Sequence, residues 1–172
     1  MADENNHKAA DLPVTLRPVN DDDREFLLRV YQISREIELA MTPWDDAQKL
    51  AFAEHQLDAQ TRSYRVKYPD ATHQVILYDG EPAGRIYVDR GDREIAILDI
   101  AVIHEYRGKG ICTELVMSIQ NEANETNGSV SIYIEPFNPS QKLFGELGFK
   151  VVPDEGVDLR FEWTGDGLSK NI

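Results

Sequence analysis

Cysteine is almost absent from this sequence, since Cys112 is the only one among 172 residues. A single cysteine cannot form a disulfide within the chain, and it excludes a metal site built from several thiolates. The four histidines show no pair at metal-ligand spacing, so we expect no metal. Because missing disulfides are typical of a reducing compartment, we expect a cytoplasmic protein.

Basic side chains are also scarce: 18 Lys and Arg stand against 31 Asp and Glu, which gives a formal charge of −13. Nucleic-acid binding normally requires a basic surface, so the balance argues against a nucleic-acid partner. It favours a cationic partner, although net charge also serves solubility alone. No apolar run approaches the roughly 18 residues that span a bilayer, and we expect no membrane association.

The length and composition indicate one globular domain. Hydrophobic residues make up 41% and charged residues 28%, as in ordinary globular proteins. The polar, acidic start of the chain differs from a secretory signal, which begins basic and continues apolar. We therefore expect a flexible tail over residues 1–11, a folded domain over residues 12–164 and a second tail over residues 165–172.

The first part of the domain predicts one strand and two helices. Residues 14–19 alternate apolar with polar, as in a strand. Apolar residues at helical spacing from Phe26 to Ile37 predict the first helix, and the second opens near Pro43 and runs towards Tyr68. The aromatic residues assigned to the second helix either pack in the core or line an acceptor pocket: Trp44, Phe52, Tyr64 and Tyr68.

The middle of the domain predicts a sheet joined by a helical crossover. Residues 73–78, 84–88 and 94–103 have a period of two or are continuously apolar, which predicts three antiparallel strands, the third buried on both faces. A helix from Ile111 then leads to a strand over residues 130–134. A crossover of that length joins parallel strands.

The last part adds a short helix after Asn138-Pro139-Ser140 and two strands, near residues 150–152 and 159–163. The predicted order is β-α-α-β-β-β-α-β-α-β-β. This order defines a mixed α/β fold with one twisted mixed sheet.

The junction between the third antiparallel strand and the crossover helix carries the strongest chemical signal. A strand, a glycine-containing loop and a helix follow one another there, so the free N–H groups of the first helical turn form an anion site. Gly108 and Gly110 allow close backbone approach, while Arg107 and Lys109 add positive charge. The run matches neither the P-loop, G-x-x-x-x-G-K-S/T, nor the dinucleotide fingerprint, which needs glycine where Thr113 stands.

The run from Arg107 to Cys112, Arg-Gly-Lys-Gly-Ile-Cys, resembles the acetyl-CoA loop R/Q-x-x-G-x-G/A of the GNAT superfamily of N-acetyltransferases. The preceding Asp99-Ile100-Ala101-Val102 is similar to the central strand of that family. The segment from Asn138 to Phe149 resembles its N-x-A-x-x-L-Y-x-x-x-G-F motif. The predicted element order is also that of the family, so the resemblance spans roughly residues 14–163.

The resemblance implies acetyl-CoA as cosubstrate. Its pyrophosphate would bind backbone N–H groups from Gly108 to Thr113. Its pantetheine arm would lie along Ile100 to Val102, where this strand diverges from residues 132–135. The residues expected to bind acetyl-CoA are Ile100, Ala101, Val102, Arg107, Gly108, Lys109, Gly110, Ile111, Cys112, Thr113, Asn138 and Phe144.

The resemblance also implies direct attack of a neutral amine on the thioester, with both reactants held in one cleft. The backbone N–H of Val102 or a neighbour would stabilise charge on the carbonyl oxygen. A carboxylate would take the proton of the amine, and Glu135 is the first candidate, followed by Asp99 and Glu94.

Two positions depart from the family pattern. Phe144 stands where many relatives have a tyrosine that protonates the leaving thiolate. Tyr133, Tyr106 or water would then replace it, or the thiolate would leave unaided, since thiols are fairly acidic. Cys112 stands at a Gly/Ala position, where it is either a thiol made acidic by the helix end or a small buried residue.

We therefore expect a single-domain enzyme, monomer or homodimer, that acetylates the primary amine of a small, cationic acceptor. A protein or peptide acceptor is the main alternative. A CoA-binding sensor without turnover is another, and a nucleotide-binding module is a third.

Overall fold

A computed structural model describes residues 12–165. Seven strands form one mixed sheet in the order β1-β2-β3-β4-β5-β7-β6. The expected tails, residues 1–11 and all but the first of residues 165–172, lie outside the described residues. The strands are β1 Val14–Pro18, β2 Thr72–Tyr78, β3 Glu81–Arg90, β4 Glu94–Val102, β5 Ser129–Ile134, β6 Lys150–Val152 and β7 Leu159–Thr164. The helices are α1 Arg24–Ser34, α2 Glu36–Ala40, α3 Asp46–Lys67, α4 Ile111–Glu125 and α5 Gln141–Glu146.

The predicted first helix is divided in two, which corrects the sequence prediction. α1 ends at Ser34 and α2 begins at Glu36, because Arg35 between them has φ −111° and ψ 9°, outside the helical region. The Ser34 hydroxyl donates to the Tyr31 carbonyl at 2.7 Å. Such local side-chain bonds compete with helical hydrogen bonding and weaken the helix where they occur.

The start of the long helix α3 was also predicted wrongly. The helix begins at Asp46, not near Pro43, because Asp45 forms the N-cap. Asp45 accepts a hydrogen bond from the Gln48 N–H at 2.8 Å, and the Gln48 side chain accepts one from the Asp45 N–H at 2.9 Å. This reciprocal pair is a capping box. Trp44 therefore lies before the helix, where it packs on Phe52 with ring centroids 5.0 Å apart.

The sheet opens between its two parallel strands. β4 and β5 pair from Glu94 and Ser129 as far as Ile97 and Ile132, and their pairing stops there. Leu98 lies at an irregularity in the β3–β4 register, next to the point where the pairing ends. The prediction that β4 is buried on both faces throughout is wrong. Its residues after Ile97 border this gap and are only half-buried as far as Ala101. The predicted parallel crossover is confirmed.

On the other side of β4, the backbones of β3 and β4 approach each other unusually closely. Gly84 on β3 is opposite Val102, and a Cβ atom at Gly84 would collide with the Ala101 carbonyl oxygen. Glycine is the residue that permits such close backbone approach.

Helices cover both faces of the sheet, so the gap connects two sides of the molecule. The main core lies under α4 and α5 and includes Ile97, Val116 and Phe144. A smaller core joins α1 and α3 through Leu27 and Leu57. Side chains alternate along a strand, so Ile132 and Ile134 face α4, whereas Tyr133 faces the side of α1 and α3.

His73 on β2 makes the stability of the fold dependent on pH. Its ring stacks on Tyr87 with centroids 4.4 Å apart, and its buried Nε2 has no hydrogen-bond partner within residues 12–165. Burial, with the charges of Arg85 and Arg65, lowers the pKa of His73 to about 4, although Asp23 opposes this.

An unfolded histidine titrates near pH 6.5. Below that pH the unfolded state binds more protons, so stability falls as the pH falls towards 4. We expect the free energy of unfolding in urea to lose about 2 kcal/mol between pH 7.5 and pH 5 from this residue. His73→Gln should lose less over the same interval, and an equal loss in both proteins would contradict the assignment.

Candidate active site

The loop before α4 has the geometry of an anion site. Gly108 and Gly110 have φ of +75° and +80°, and Gly110 is the residue immediately before the helix. The Glu114 N–H bonds to the Gly110 carbonyl, so the N–H groups of the preceding helical residues have no helical partner. The helix end opens into a cavity of about 250 Å³, here called the loop cavity, lined by Val102, Tyr106, Arg107, Gly110, Thr113 and Leu143 among others.

The two cations of the loop have different surroundings. The Arg107 Nε donates to the Val102 carbonyl at 3.1 Å, and its Nη1 lies 3.6 Å from Glu36. Arg107 thus ties the loop to the end of β4, and Glu36 offsets part of its charge. The Lys109 Nζ lies 5.6 Å from the Tyr78 ring centroid, and Lys109 lines none of the three cavities described in this section.

The backbone of β4 presents N–H groups to the gap, among them that of Val102. The Ile103 N–H donates to the Ala83 carbonyl on β3 at 2.9 Å. Neighbouring residues of a strand direct their backbone groups to opposite sides, so the Val102 N–H points away from β3 and into the gap. Its carbonyl lies on the same side, where Arg107 binds it.

The gap itself forms a cavity of about 210 Å³, here called the gap cavity. It is bounded by β4, β5, α1, α3 and α5. The structure brings the following predicted site residues together in its lining: Asp99, Ile100, Cys112, Glu135, Asn138 and Phe144. Glu94 lies elsewhere, at the start of β4, where it accepts hydrogen bonds from Ser131 and Arg160.

A third cavity, here called the side cavity, measures about 570 Å³ and lies between α2 and the loop after β5. Its inner wall includes Ile100, Ala101 and Val102 at the end of β4. It shares Ile100, Cys112, Glu135 and Asn138 with the gap cavity. The three cavities therefore meet around the end of β4.

Glu135 follows the last residue of β5 and is held by two neighbours. The Arg35 Nη1 donates to one of its oxygens at 2.7 Å, and the Asn138 Nδ2 donates to the other at 2.9 Å. Burial alone would raise the pKa of Glu135, but the hydrogen bond from Asn138 and the charge of Arg35 hold it below its ordinary value. The carboxylate is ionised at neutral pH and fixed in orientation.

Asp99 pairs with a buried cation. The Arg85 side chain is 2% exposed; its Nε donates to Asp99 at 2.5 Å and its Nη2 to Gln60 at 2.8 Å. A buried arginine needs such compensation, so Asp99 is committed to holding Arg85. Sequence patterns singled out neither Arg85 nor Arg35, because both pair with residues far away along the chain.

The two positions that depart from the family pattern are both packed. Burial raises the pKa of the Cys112 thiol to about 11, although Arg107 opposes this, so the thiol stays protonated near neutral pH. The raised pKa favours the alternative of a small buried residue over an acidic thiol at the helix end. Phe144 is buried and packs edge-on against Phe149.

The alternative proton donors are separated in space. Tyr133 lines the gap cavity and donates a hydrogen bond to Asp154. Tyr106 lines the loop cavity and packs against Tyr78.

Residues 12–165 contain neither a cluster of metal ligands nor a helix suited to a membrane. No group of three or more His, Cys, Asp or Glu is placed to hold a metal ion. No helix in this part of the chain has both the length and the apolar character that a bilayer crossing requires.

Residues 29–149 match the sequence profile of the acetyltransferase (GNAT) family. The match covers more than half of the chain, so the chain belongs to the GNAT family and is an N-acetyltransferase by class. This confirms the family resemblance. No curated protein sequence matches the chain significantly.

Solved structures share the fold at low sequence identity. PaiA N-acetyltransferase from Thermoplasma acidophilum, in complex with coenzyme A, has a TM-score of 0.66 and 16% identity over 88% of this chain and 99% of its own. An acetyltransferase from Thermus thermophilus has a TM-score of 0.61 and 18% identity over 89% of this chain and 97% of its own. Arabidopsis thaliana Naa50, bound to the bisubstrate analogue CoA-Ac-MVNAL, has a TM-score of 0.56 and 16% identity over 90% of this chain and 100% of its own. The predicted mixed α/β fold is confirmed.

Proposed function

We propose that this chain transfers the acetyl group of acetyl-CoA to the primary amine of a small, cationic acceptor. The observation that carries the proposal is the meeting of the loop cavity, gap cavity and side cavity at the end of β4, beside a fixed carboxylate. A cosubstrate and an acceptor can thus reach one point from different sides. The charge of −13 favours a cationic acceptor.

The chain has parts that fit acetyl-CoA. The N–H groups of Ile111, Cys112 and Thr113, next to Gly108 and Gly110, would bind the pyrophosphate at the positive end of α4. Arg107 and Lys109 flank that position. The edge of β4 from Ile100 to Val102 is not paired with β5 and would pair with the pantetheine arm. Asn138 and Phe144 would lie on the opposite wall.

The reaction needs one bond made and one broken. When bound, acetyl-CoA supplies an activated acyl carbon, to which the amine nitrogen bonds while the carbon–sulfur bond breaks and the sulfur leaves as thiolate. The Val102 N–H, directed into the gap, would donate to the acyl oxygen as charge develops there. Glu135 would orient the amine and take its surplus proton, with Asp99 acting through Arg85 to hold the wall of the gap.

No side chain need protonate the leaving sulfur. Phe144 carries no proton to donate, and the thiol of Cys112 is too weakly acidic to serve. Of the two tyrosines considered as replacements, Tyr133 lines the gap cavity, and the released thiolate would take a proton from it or from water.

A pH profile and a glutamate variant test the role of Glu135. Because the pKa of Glu135 is held low, the carboxylate is ionised across pH 5 to 9, and kcat/KM should rise with pH as the amine loses its proton. Glu135→Gln should lower kcat roughly 10- to 100-fold while CoA affinity changes little. The apparent pKa should follow that of the amine when a less basic amine is used.

Glu146→Gln provides the matched control, since Glu146 is exposed and lies 3.9 Å from Lys142 on the outside of α5. An apparent pKa that stays the same for amines of different basicity would contradict this account. Full activity of Glu135→Gln at every pH would remove Glu135 as the proton acceptor.

Release of free thiol from acetyl-CoA in the presence of a panel of primary amines tests the function as a whole. Thiol release with polyamines, amino sugars or basic amino acids supports the proposal. Release only with peptides favours the alternative of a peptide acceptor, such as the peptide portion of the analogue bound to Naa50. Binding of CoA with no release for any amine would instead indicate a sensor.

A further inference from the structure

The side cavity has an apolar mouth that the transfer reaction itself does not require. Ile37, Met41 and Phe137 line it and are 62%, 84% and 97% exposed. Ile37 and Met41 come from α2 and its end, whereas Phe137 comes from the loop after β5. Apolar side chains exposed together around one concave site are typical of ligand binding.

The charged part of the same cavity lies beside this mouth. Its lining holds three glutamates, Glu36, Glu38 and Glu135, against one cation, Arg107. Arg35 pairs with Glu38 and Glu135 from the gap side, and His104 lies 2.7 Å from Glu36. The acidic excess favours a cationic group close to Glu135, within reach of the gap.

The mouth of the side cavity, unlike its inner part, does not border the loop that would hold the pyrophosphate. Arg107 and Cys112 line both the side cavity and the loop cavity, whereas Ile37, Met41 and Phe137 line the side cavity alone of the three. The inner part of the cavity, which includes Ile100 to Val102, Arg107, Cys112 and Asn138, borders the path expected for acetyl-CoA. The mouth formed by Ile37, Met41 and Phe137 is therefore left for the acceptor.

We propose that the acceptor is a small amphipathic monoamine, whose ammonium group lies near Glu135 and whose apolar group packs against Ile37, Met41 and Phe137. This inference rests on the proposed function and narrows its acceptor class. An acceptor charged at both ends, such as a diamine, would place its second ammonium group against apolar side chains without compensation.

Binding measured by calorimetry on the CoA-bound protein tests the inference independently of turnover. The probes are 2-phenylethylamine and putrescine, which share a primary amine and differ at the other end. We expect 2-phenylethylamine to bind about tenfold more tightly than putrescine. The double variant Met41→Ser/Phe137→Ser should lower the affinity for 2-phenylethylamine about tenfold and change the affinity for putrescine by less than about twofold.

Met117→Ser is the matched control, because Met117 is half-exposed on α4 and lines none of the three cavities. Equal binding of the two amines, or equal losses in the double variant, would overturn the inference. A double variant that binds butyryl-CoA more weakly but binds the amine as before would also overturn it, since the mouth would then hold an acyl chain. Tighter binding of a peptide with an apolar first residue would also overturn it.

Thiol release in the same samples keeps this inference distinct from the proposed function. Selective binding of 2-phenylethylamine without thiol release supports the amphipathic site and contradicts acetyl transfer. Thiol release with putrescine as efficient as with 2-phenylethylamine supports transfer and overturns the amphipathic site.

Discussion

Asp99→Asn is expected to destabilise the folded chain by about 3–5 kcal/mol, the usual effect of removing one partner of a buried ion pair. Arg85 is almost fully buried and is stabilised by Asp99, Gln60 and the Tyr31 ring, whose centroid lies 5.8 Å from the guanidinium carbon. The variant leaves that cation in a low-dielectric site without its counter-charge. In thermal unfolding the midpoint should fall by roughly 10 °C.

Two further variants make the result specific. Asp58→Asn breaks the exposed pair between Arg24 and Asp58, and its midpoint should scarcely change. Arg85→Met combined with Asp99→Leu removes both charges and should recover much of the lost stability, because apolar residues often replace buried ion pairs well. If Asp99→Asn unfolds at the wild-type temperature, Arg85 does not depend on this carboxylate.

Gly110→Asp is expected to abolish measurable CoA binding. The substitution places a carboxylate at the positive end of α4, where the proposal puts the pyrophosphate, and a like charge at about 4 Å costs about 4 kcal/mol at an effective dielectric constant near 20. That corresponds to roughly a thousandfold loss of affinity. The positive φ of Gly110 adds backbone strain for any other residue. Calorimetry with CoA measures the loss directly.

Gly80 supplies the control for both strain and charge. It has φ +82° in the turn between β2 and β3, and no atom lies within 4 Å of where its Cβ would be. Gly80→Asp should therefore carry similar strain and the same charge while leaving CoA affinity unchanged. Gly110→Ala separates the strain from the charge. Wild-type affinity in Gly110→Asp would show that the pyrophosphate binds elsewhere.

The part of the site that sequence predicted best is the part built from neighbours in the chain. A buried strand, two glycines and a helix start are local signals, and Gly108 and Gly110 take the backbone conformations that such a loop needs. The gap at the end of β4 was expected from the family resemblance. The structure locates its start at Ile97 and Ile132.

Side-chain partnerships across the fold could not be predicted in the same way. Arg35 and Glu135 are 100 residues apart and meet only because α1 ends beside β5. The charge of Arg35 adds to the hydrogen bond from Asn138 in holding the pKa of Glu135 below its ordinary value. For Cys112 the sequence left an acidic thiol and a small buried residue both open, and burial in the folded chain, which raises the pKa, favours the second.

Some local signals were present and outweighed. Asp45 and Gln48 have the spacing of a capping box, but Pro43 suggested an earlier helix start. The division of the helix at Arg35 had a weaker signal in the sequence. Ser34 precedes it and bonds to the Tyr31 carbonyl, but serine also occurs inside unbroken helices.

The close approach of Gly84 to Ala101 has a mechanical consequence for the gap in this chain. Any added carbon at position 84 would push β4 away from β3, and beyond Ile97 the strand has no neighbour to resist on its far side. The displacement would go into the gap, so one methyl group would narrow the space in which the proposed function brings both reactants together. The absence of a side chain at Gly84 thus sets the width of the gap between β4 and β5.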